Sequence, residues 1–256
     1  VAQILHTSPS EIFFTSGGTE ADNMAIVRSI VDFGITHAIT TPIEHHAVLH
    51  TLEEMEKSGK VHLDLLHVDA HGNIDLHQLE DLLSNNPRTF VSIMHGNNEL
   101  GNLNDIEKIA EICQKYNAIF HSDTVQTMGH YPHDLSKLKI DFITGAGHKF
   151  HGPKGVGFLY INANTKIKPM IYGGAQERNM RGGTENVYGI AGLARALELS
   201  YEHMEEHAAY IQGLKSYMIE QLKAAIPDIR FNGIIEPNKS LYTVLNVSFP
   251  CTDMAD

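Results

Sequence analysis

Short apolar runs recur along the chain, and each is followed by a polar or glycine-bearing turn and then by apolar positions at helical spacing. Ile12-Phe13-Phe14-Thr15 predicts a buried strand, with Ser16-Gly17-Gly18-Thr19 as the turn after it. From Glu20 the period becomes helical: Met24, Val27, Ile30 and Val31 recur on one side, with acidic Glu20 and Asp22 in the first turn. The alternation repeats. Strands are predicted at 37–41, 61–67, 89–94 and 118–122, and helices beyond Pro42, around 76–83 and over about 104–116. Residues 141–160 read as strand, exposed Gly-rich loop and strand. Helices are expected over about 187–199 and on to about 225, then strands at 231–233 and 241–249. Strand, helix, strand at this repeat predicts an α/β fold: a mostly parallel central sheet with helices on both faces.

Bulk properties narrow the partners. The 256 residues suffice for one large α/β domain or a domain and a half, and we expect a large domain over 1–205 with a linking helix and the start of a smaller, incomplete C-terminal domain over 206–256. A formal net charge of −12 argues against nucleic acid as the main partner, and no apolar run is long enough to cross a membrane. Two cysteines, Cys113 and Cys251, make no disulfide framework, so a cytoplasmic location is the expectation. The chain starts without Met and ends just beyond a strand-like run, which suggests a fragment.

The chemistry-bearing residues cluster where strands end. Gly18-Thr19 opens a helix after a Gly-rich turn, a ready phosphate site, although on this stretch alone simple capping by Thr19 is the favoured reading. Asp123 ends a predicted central strand, where open α/β sheets bind ligands; a helix N-cap is its other reading. Lys149 stands at the mouth of a strand beside glycines, where a desolvated lysine can form a Schiff base with a carbonyl; a surface lysine is the plainer alternative. His45 and His46 are adjacent, so on a helix they point about 100° apart and cannot share one ligand. His148-x-x-His151 offers no closed metal-ligand set, and no metal is expected.

Six segments occur together in order: residues 15–23, Glu44-His45-His46-Ala47-Val48, Asn97-Asn98-Glu99-Leu100-Gly101, Asp123-Thr124-Val125-Gln126, Gly147-His148-Lys149 and Arg181-Gly182-Gly183-Thr184. In this the chain resembles group I cysteine desulfurases of the class V aminotransferase family, over almost its whole length. The resemblance implies the aspartate aminotransferase-like fold of the pyridoxal 5'-phosphate (PLP) transferases and the PLP cofactor itself. It implies that Lys149 bonds the cofactor and moves protons at the substrate carbon, and that His45 stacks on the ring and works in acid/base steps. Asp123 would pair with the ring nitrogen and Gln126 with the ring's phenolic oxygen. Gly18, Thr19 and His148 would hold the phosphate, Thr184 would reach a phosphate in the partner of a homodimer, and Asn98 would sit near the substrate carboxylate. The implied reaction converts L-cysteine to L-alanine and passes sulfur, as an enzyme persulfide, to acceptors such as an iron–sulfur scaffold protein.

Some features depart from the pattern. Ala146 stands where relatives commonly carry a serine phosphate ligand, leaving Thr144 or a water to compensate. The expected nucleophilic cysteine loop and the N-terminal arm lie outside the sequence, so no normal turnover is expected of this chain alone. Neither Cys113, on a predicted helix, nor Cys251 is assigned as the nucleophile. Other readings are a selenocysteine lyase or another enzyme on the same scaffold, or a non-catalytic scaffold paralogue.

Overall fold

The computed structural model describes residues 1–250. Seven strands, β1 (Ile12–Thr15), β2 (His37–Thr40), β3 (His62–Leu65), β4 (Thr89–Ser92), β5 (Ile119–Asp123), β6 (Phe142–Ala146) and β7 (Gly157–Ile161), form one sheet. Their order is β1-β7-β6-β5-β4-β2-β3. The five strands from β3 to β6 run parallel, while β7 is antiparallel to both its neighbours. Helices α1 (Gly18–Phe33), α2 (His46–Lys57), α3 (Leu76–Asn85) and α4 (Ile106–Lys115) lie between the strands of the first half. A parallel pair needs such a crossover, whereas the antiparallel β6–β7 pair closes through one short loop. That loop carries Lys149.

The alternation of side chains along each strand divides the core in two. Phe13, Phe142, Leu159 and Ile161 pack on one face with Ala21, Met24 and Ala25 of α1. Their neighbours Ile12, Ile143, Phe158 and Tyr160 turn to the other face, with Val91, Phe120 and Ile109 of α4. A slip of one residue would exchange the two sets, so burial on both faces pins the register. It also pins which strand-end residues point into the space above the parallel strands.

Beyond β7 comes an irregular loop with a single turn, α5 (Gln176–Asn179), in which Glu177, Arg178 and Asn179 all have positive φ. Then follow α6 (Val187–Glu202) and α7 (Met204–Ala225). Leu193 and Leu197 bring α6 onto the second core face. The last two strands, β8 (Arg230–Asn232) and β9 (Asn246–Ser248), form a separate antiparallel pair. The strand expected over 241–249 is thus cut to three residues. Its first part is held elsewhere: the Leu241 N–H donates to the Gly101 carbonyl at 2.6 Å, and the Tyr242 N–H to the Tyr131 hydroxyl at 3.1 Å. Lys215 of α7 donates to the Leu241 carbonyl at 2.8 Å. Backbone groups engaged in this way are not available to a strand ladder. Cys251 lies outside the described residues. Among the described residues no helix is long and apolar enough to cross a membrane.

Gly157 lets β7 pass under the β1–α1 turn. A Cβ there would sit 2.6 Å from the Gly145 carbonyl oxygen and 2.8 Å from the Gly17 carbonyl carbon, both backbone atoms that cannot swing aside. Gly157→Ala should therefore lose about 1–3 kcal/mol in urea unfolding. Gly213→Ala, on the exposed side of α7 with nothing within 4 Å, should gain up to about 1 kcal/mol by helix propensity.

Candidate active site

A cavity of about 250 Å³ opens at the carboxyl ends of β4, β5 and β6. Gly18, Thr19, His45, Asn98, Asp123, Gln126, His148 and Lys149 all line it, so eight of the nine residues nominated from the sequence are brought together. Thr184 is not among them. It is exposed and lines a different hollow, with Ser16, Gly155 and Arg181.

Each wall has a local cause. Helix α1 begins at Gly18 with Gly17 as its N-cap, and no side chain caps its first amides. Capping by Thr19 is therefore set aside: the first turn presents its N–H groups and the positive end of its dipole to the cavity. Gly18 has little room for a side chain, since a Cβ would stand 3.0 Å from the Val125 side chain. His45 is the N-cap of α2, and its Nδ1 accepts from the Ala47 N–H at 3.1 Å. That bond orients the ring with Nε2 free. His46, the first residue of α2, is exposed and is not among the residues lining the cavity. Asn97 shapes the next loop: its amide donates to the Ile43 carbonyl at 2.7 Å, and its oxygen accepts from the N–H groups of Glu99 and Leu100. Asn98 is presented by that loop and donates to Glu99 at 2.8 Å.

Asp123 closes the inner end of the cavity. It caps no helix, since only turns follow β5, and its Oδ1 accepts from the Val125 N–H at 2.8 Å. Lys149 sits on a 3-10 turn, Gly147–Phe150, directly after β6. His130 Nε2 donates to its carbonyl at 3.1 Å, tying down the backbone at the lysine. Burial, with the charges of Lys149 and Lys154, holds His148 below the usual histidine range. Ala146 lines the cavity, and Thr144 does not replace the hydroxyl it lacks: Thr144 is fully buried, with its Oγ1 3.1 Å from His121 Nε2.

The sequence reading missed two carboxyl groups. Asp22, read only as an acid in the first helical turn, is 1% exposed and forms part of the cavity wall. Its place four residues after Gly18, among buried Ala21, Ala25 and Ile26, was the available signal. Glu44 is buried as well; its Oε1 accepts from the Met94 N–H and the Thr41 hydroxyl, each at 3.0 Å. One donor atom each of Asp22, His45 and Asp123 lie within 4.8 Å of one another. Glu20, by contrast, stays acidic: burial opposes its charge, but hydrogen bonds from Arg181 and Ser16 prevail.

A model of the family described as aminotransferase class-V matches residues 1–256. The chain belongs to that family. Cysteine desulfurase IscS of Clostridium botulinum is 41% identical over 251 residues, covering 97% of this chain and 63% of the relative. The putative cysteine desulfurase IscS 1 of Bacillus subtilis is 42% identical, covering 98% and 65%. The chain thus spans less than two thirds of these relatives. A solved NifS-like protein superimposes with a TM-score of 0.92 at 40% identity, covering 97% of this chain and 68% of the other. A structure of SspA in complex with cysteine gives 0.81 at 32% identity, covering 97% and 69%. The fold is that of the PLP-dependent transferases, and PLP is the cofactor of these class V enzymes.

The residues present fit that group. A carboxyl buried at one end of the cavity suits a cationic ring nitrogen, an uncapped helix start suits a phosphate, and a primary amine lies in the same cavity. Cys113 offers no thiolate: it is buried in α4, and burial pushes its thiol far up.

Burial pushes Asp22 and Asp123 up to about 7 and Glu44 to about 8; the mutual nearness of Asp22 and Asp123 adds to the shift of Asp123. Each acid holds its proton more tightly folded than unfolded, so each withdraws stability as pH rises toward its raised value. Burial pushes His121 and His133 down to about 4, and they act in the opposite sense, but only below the ordinary histidine value of 6.5. Between pH 6.5 and 8 the carboxyl groups dominate, opposed by the single Val1 amino group, which burial lowers from its ordinary value of 8.0. The cofactor-free protein should lose on the order of 1–3 kcal/mol across that window, measured by urea unfolding. Glu44→Gln should flatten the decline.

Proposed function

We propose that the protein of which this chain forms part is a PLP-dependent cysteine desulfurase, releasing L-alanine from L-cysteine and passing the sulfur on as an enzyme persulfide. The observation that carries the reading is the convergence of Gly18, Thr19, His45, Asp123, Gln126, His148 and Lys149 on one cavity in a chain about 41% identical to IscS proteins.

When bound, PLP supplies an electron-withdrawing ring that lowers the barrier to carbanion formation at the substrate Cα. The chain's own groups do the rest. The α1 amides and His148 receive the phosphate, and the Gln126 amide donates to the ring's phenolic oxygen. Asp123, as a carboxylate, holds a proton on the ring nitrogen. Lys149 takes and returns the proton at Cα, His45 lies against the ring and serves in acid/base steps, and the Asn98 amide orients the substrate carboxylate.

Further parts of the reading concern the whole protein. Thr184, outside its own chain's cavity, would complete the phosphate site of a second copy in a homodimer; exposed Val187 and Tyr188, just after it in the chain, would give that contact an apolar face. An iron–sulfur scaffold protein is the proposed sulfur acceptor, in keeping with the IscS relatives, and the cytoplasm is the proposed location.

Mixing the protein with PLP should produce a visible absorbance band, and borohydride should fix the cofactor on the peptide containing Lys149. Lys149→Ala should abolish the fixed label. Asp123→Asn should weaken retention at least tenfold, since a buried hydrogen-bonded charge pair contributes about 1.5–3 kcal/mol. A label that persists in Lys149→Ala would refute the assignment.

A further inference from the structure

We infer that Asp22 is a positioning residue for Asp123: a second carboxyl in the same cavity wall that keeps its proton when Asp123 ionises, and so leaves Asp123 as the one charge of the pair facing a cationic ring nitrogen. The inference rests on the PLP reading above and deepens it.

The geometry carries it. Asp22 projects from the start of α1 into the cavity wall, with one of its oxygens within 4.8 Å of one on Asp123. Both side chains are buried, at 1% and 4% exposure. Asp22 Oδ1 has no hydrogen-bond partner. Its nearest cationic candidate is His121, whose Nε2 lies 3.4 Å away but off the hydrogen-bonding direction. His121 is already engaged at both nitrogens, with the Ser92 hydroxyl at 2.8 Å from Nδ1 and the Thr144 hydroxyl at 3.1 Å from Nε2. Among the described residues no lysine or arginine forms an ion pair with Asp22. Two carboxylates this close in a buried wall do not both ionise readily, and they titrate as a pair.

The surrounding groups decide which of the two carries the charge. From β5 come His121 and Asp123, from β6 Thr144, and from the segment leading into α2 Glu44 and His45. Lys149 and His148 line the same cavity from the turn after β6. Asp123 accepts a backbone N–H, from Val125, which favours its charged form; the Thr144 side chain favours the charged form of Asp22, but Asp22 Oδ1 accepts nothing. A cationic ring nitrogen against Asp123 ionises that member, and the proton stays on Asp22. Burial raises the proton affinity of Asp123 in the empty site, so binding at low pH must first displace its proton.

The test is PLP affinity, followed by absorbance between about pH 5 and 9, for the wild type and for Asp22→Asn, an uncharged isostere. The two should agree within about threefold at the alkaline end. The acid limbs should agree within about half a pH unit, because the amide stands in for the protonated acid. Infrared spectra should show a protonated aspartic acid band at neutral pH in the wild type that Asp22→Asn lacks, which mere support of α1 would not produce. An acid limb that moves down by about a pH unit or more in the variant overturns the inference and leaves the PLP reading standing; a wild type that binds no PLP at any pH overturns both. If Asp22→Asn fails to fold, infrared spectra of the wild-type holoprotein with carboxyl-labelled aspartate decide. A protonated aspartic acid band at neutral pH is the expected result, and its absence overturns the inference.

Discussion

Three carboxyl groups buried around one cavity, on Asp22, Glu44 and Asp123, are the constraint on which the rest of this structure depends. Burying acids is unfavourable in proportion to their charge, so the fold must either keep them protonated or supply a cation. Among the described residues none of the three has a lysine or arginine ion-pair partner, and Asp22 Oδ1 and Glu44 Oε2 have no hydrogen-bond partner. A site arranged in this way is poised for a cationic ligand group, and its stability and its ligand affinity share the same protons.

The sheet is what holds those acids together. Asp123 ends β5, Lys149 follows β6, and the antiparallel β7 returns beneath the β1–α1 turn. Period-2 burial on both faces fixes the register of each strand, so the positions of Asp123 and Lys149 follow from large apolar side chains far from any chemistry. Loops then finish the site through short-range bonds: Asn97 braces the segment bearing Asn98, His45 caps α2, and His130 holds the Lys149 carbonyl. Function lies on the loops, and precision comes from the strands beneath them.

Much of this was legible in the sequence. The apolar run at 89–94 marked a central strand because both of its faces are buried. The Gly17-Gly18 turn and the glycines beside Lys149 marked the loops that bear the site. The residues bearing chemistry stood at strand ends, and the resemblance to cysteine desulfurases named most of those that line the cavity. The strand expected over 241–249 was read from its apolar character. Leu241 and Tyr242 are indeed buried, but as a loop bonded to Gly101 and Tyr131. Apolar composition reports burial and not the hydrogen-bond partner.

The sequence by itself determined the alternation of strand and helix, the parallel sheet that this alternation requires, and the set of residues with chemistry to offer. These depend on neighbours along the chain, whose spacing is written in the order of the residues. Only the tertiary structure decided that Asp22 faces inward and not toward water, that Thr144 is engaged by His121 and does not stand in at Ala146, and that Thr184 lies outside the cavity of its own chain. Those facts depend on groups distant in sequence, Asp22 with Asp123 and Thr144 with His121, which become neighbours only when the sheet closes its register.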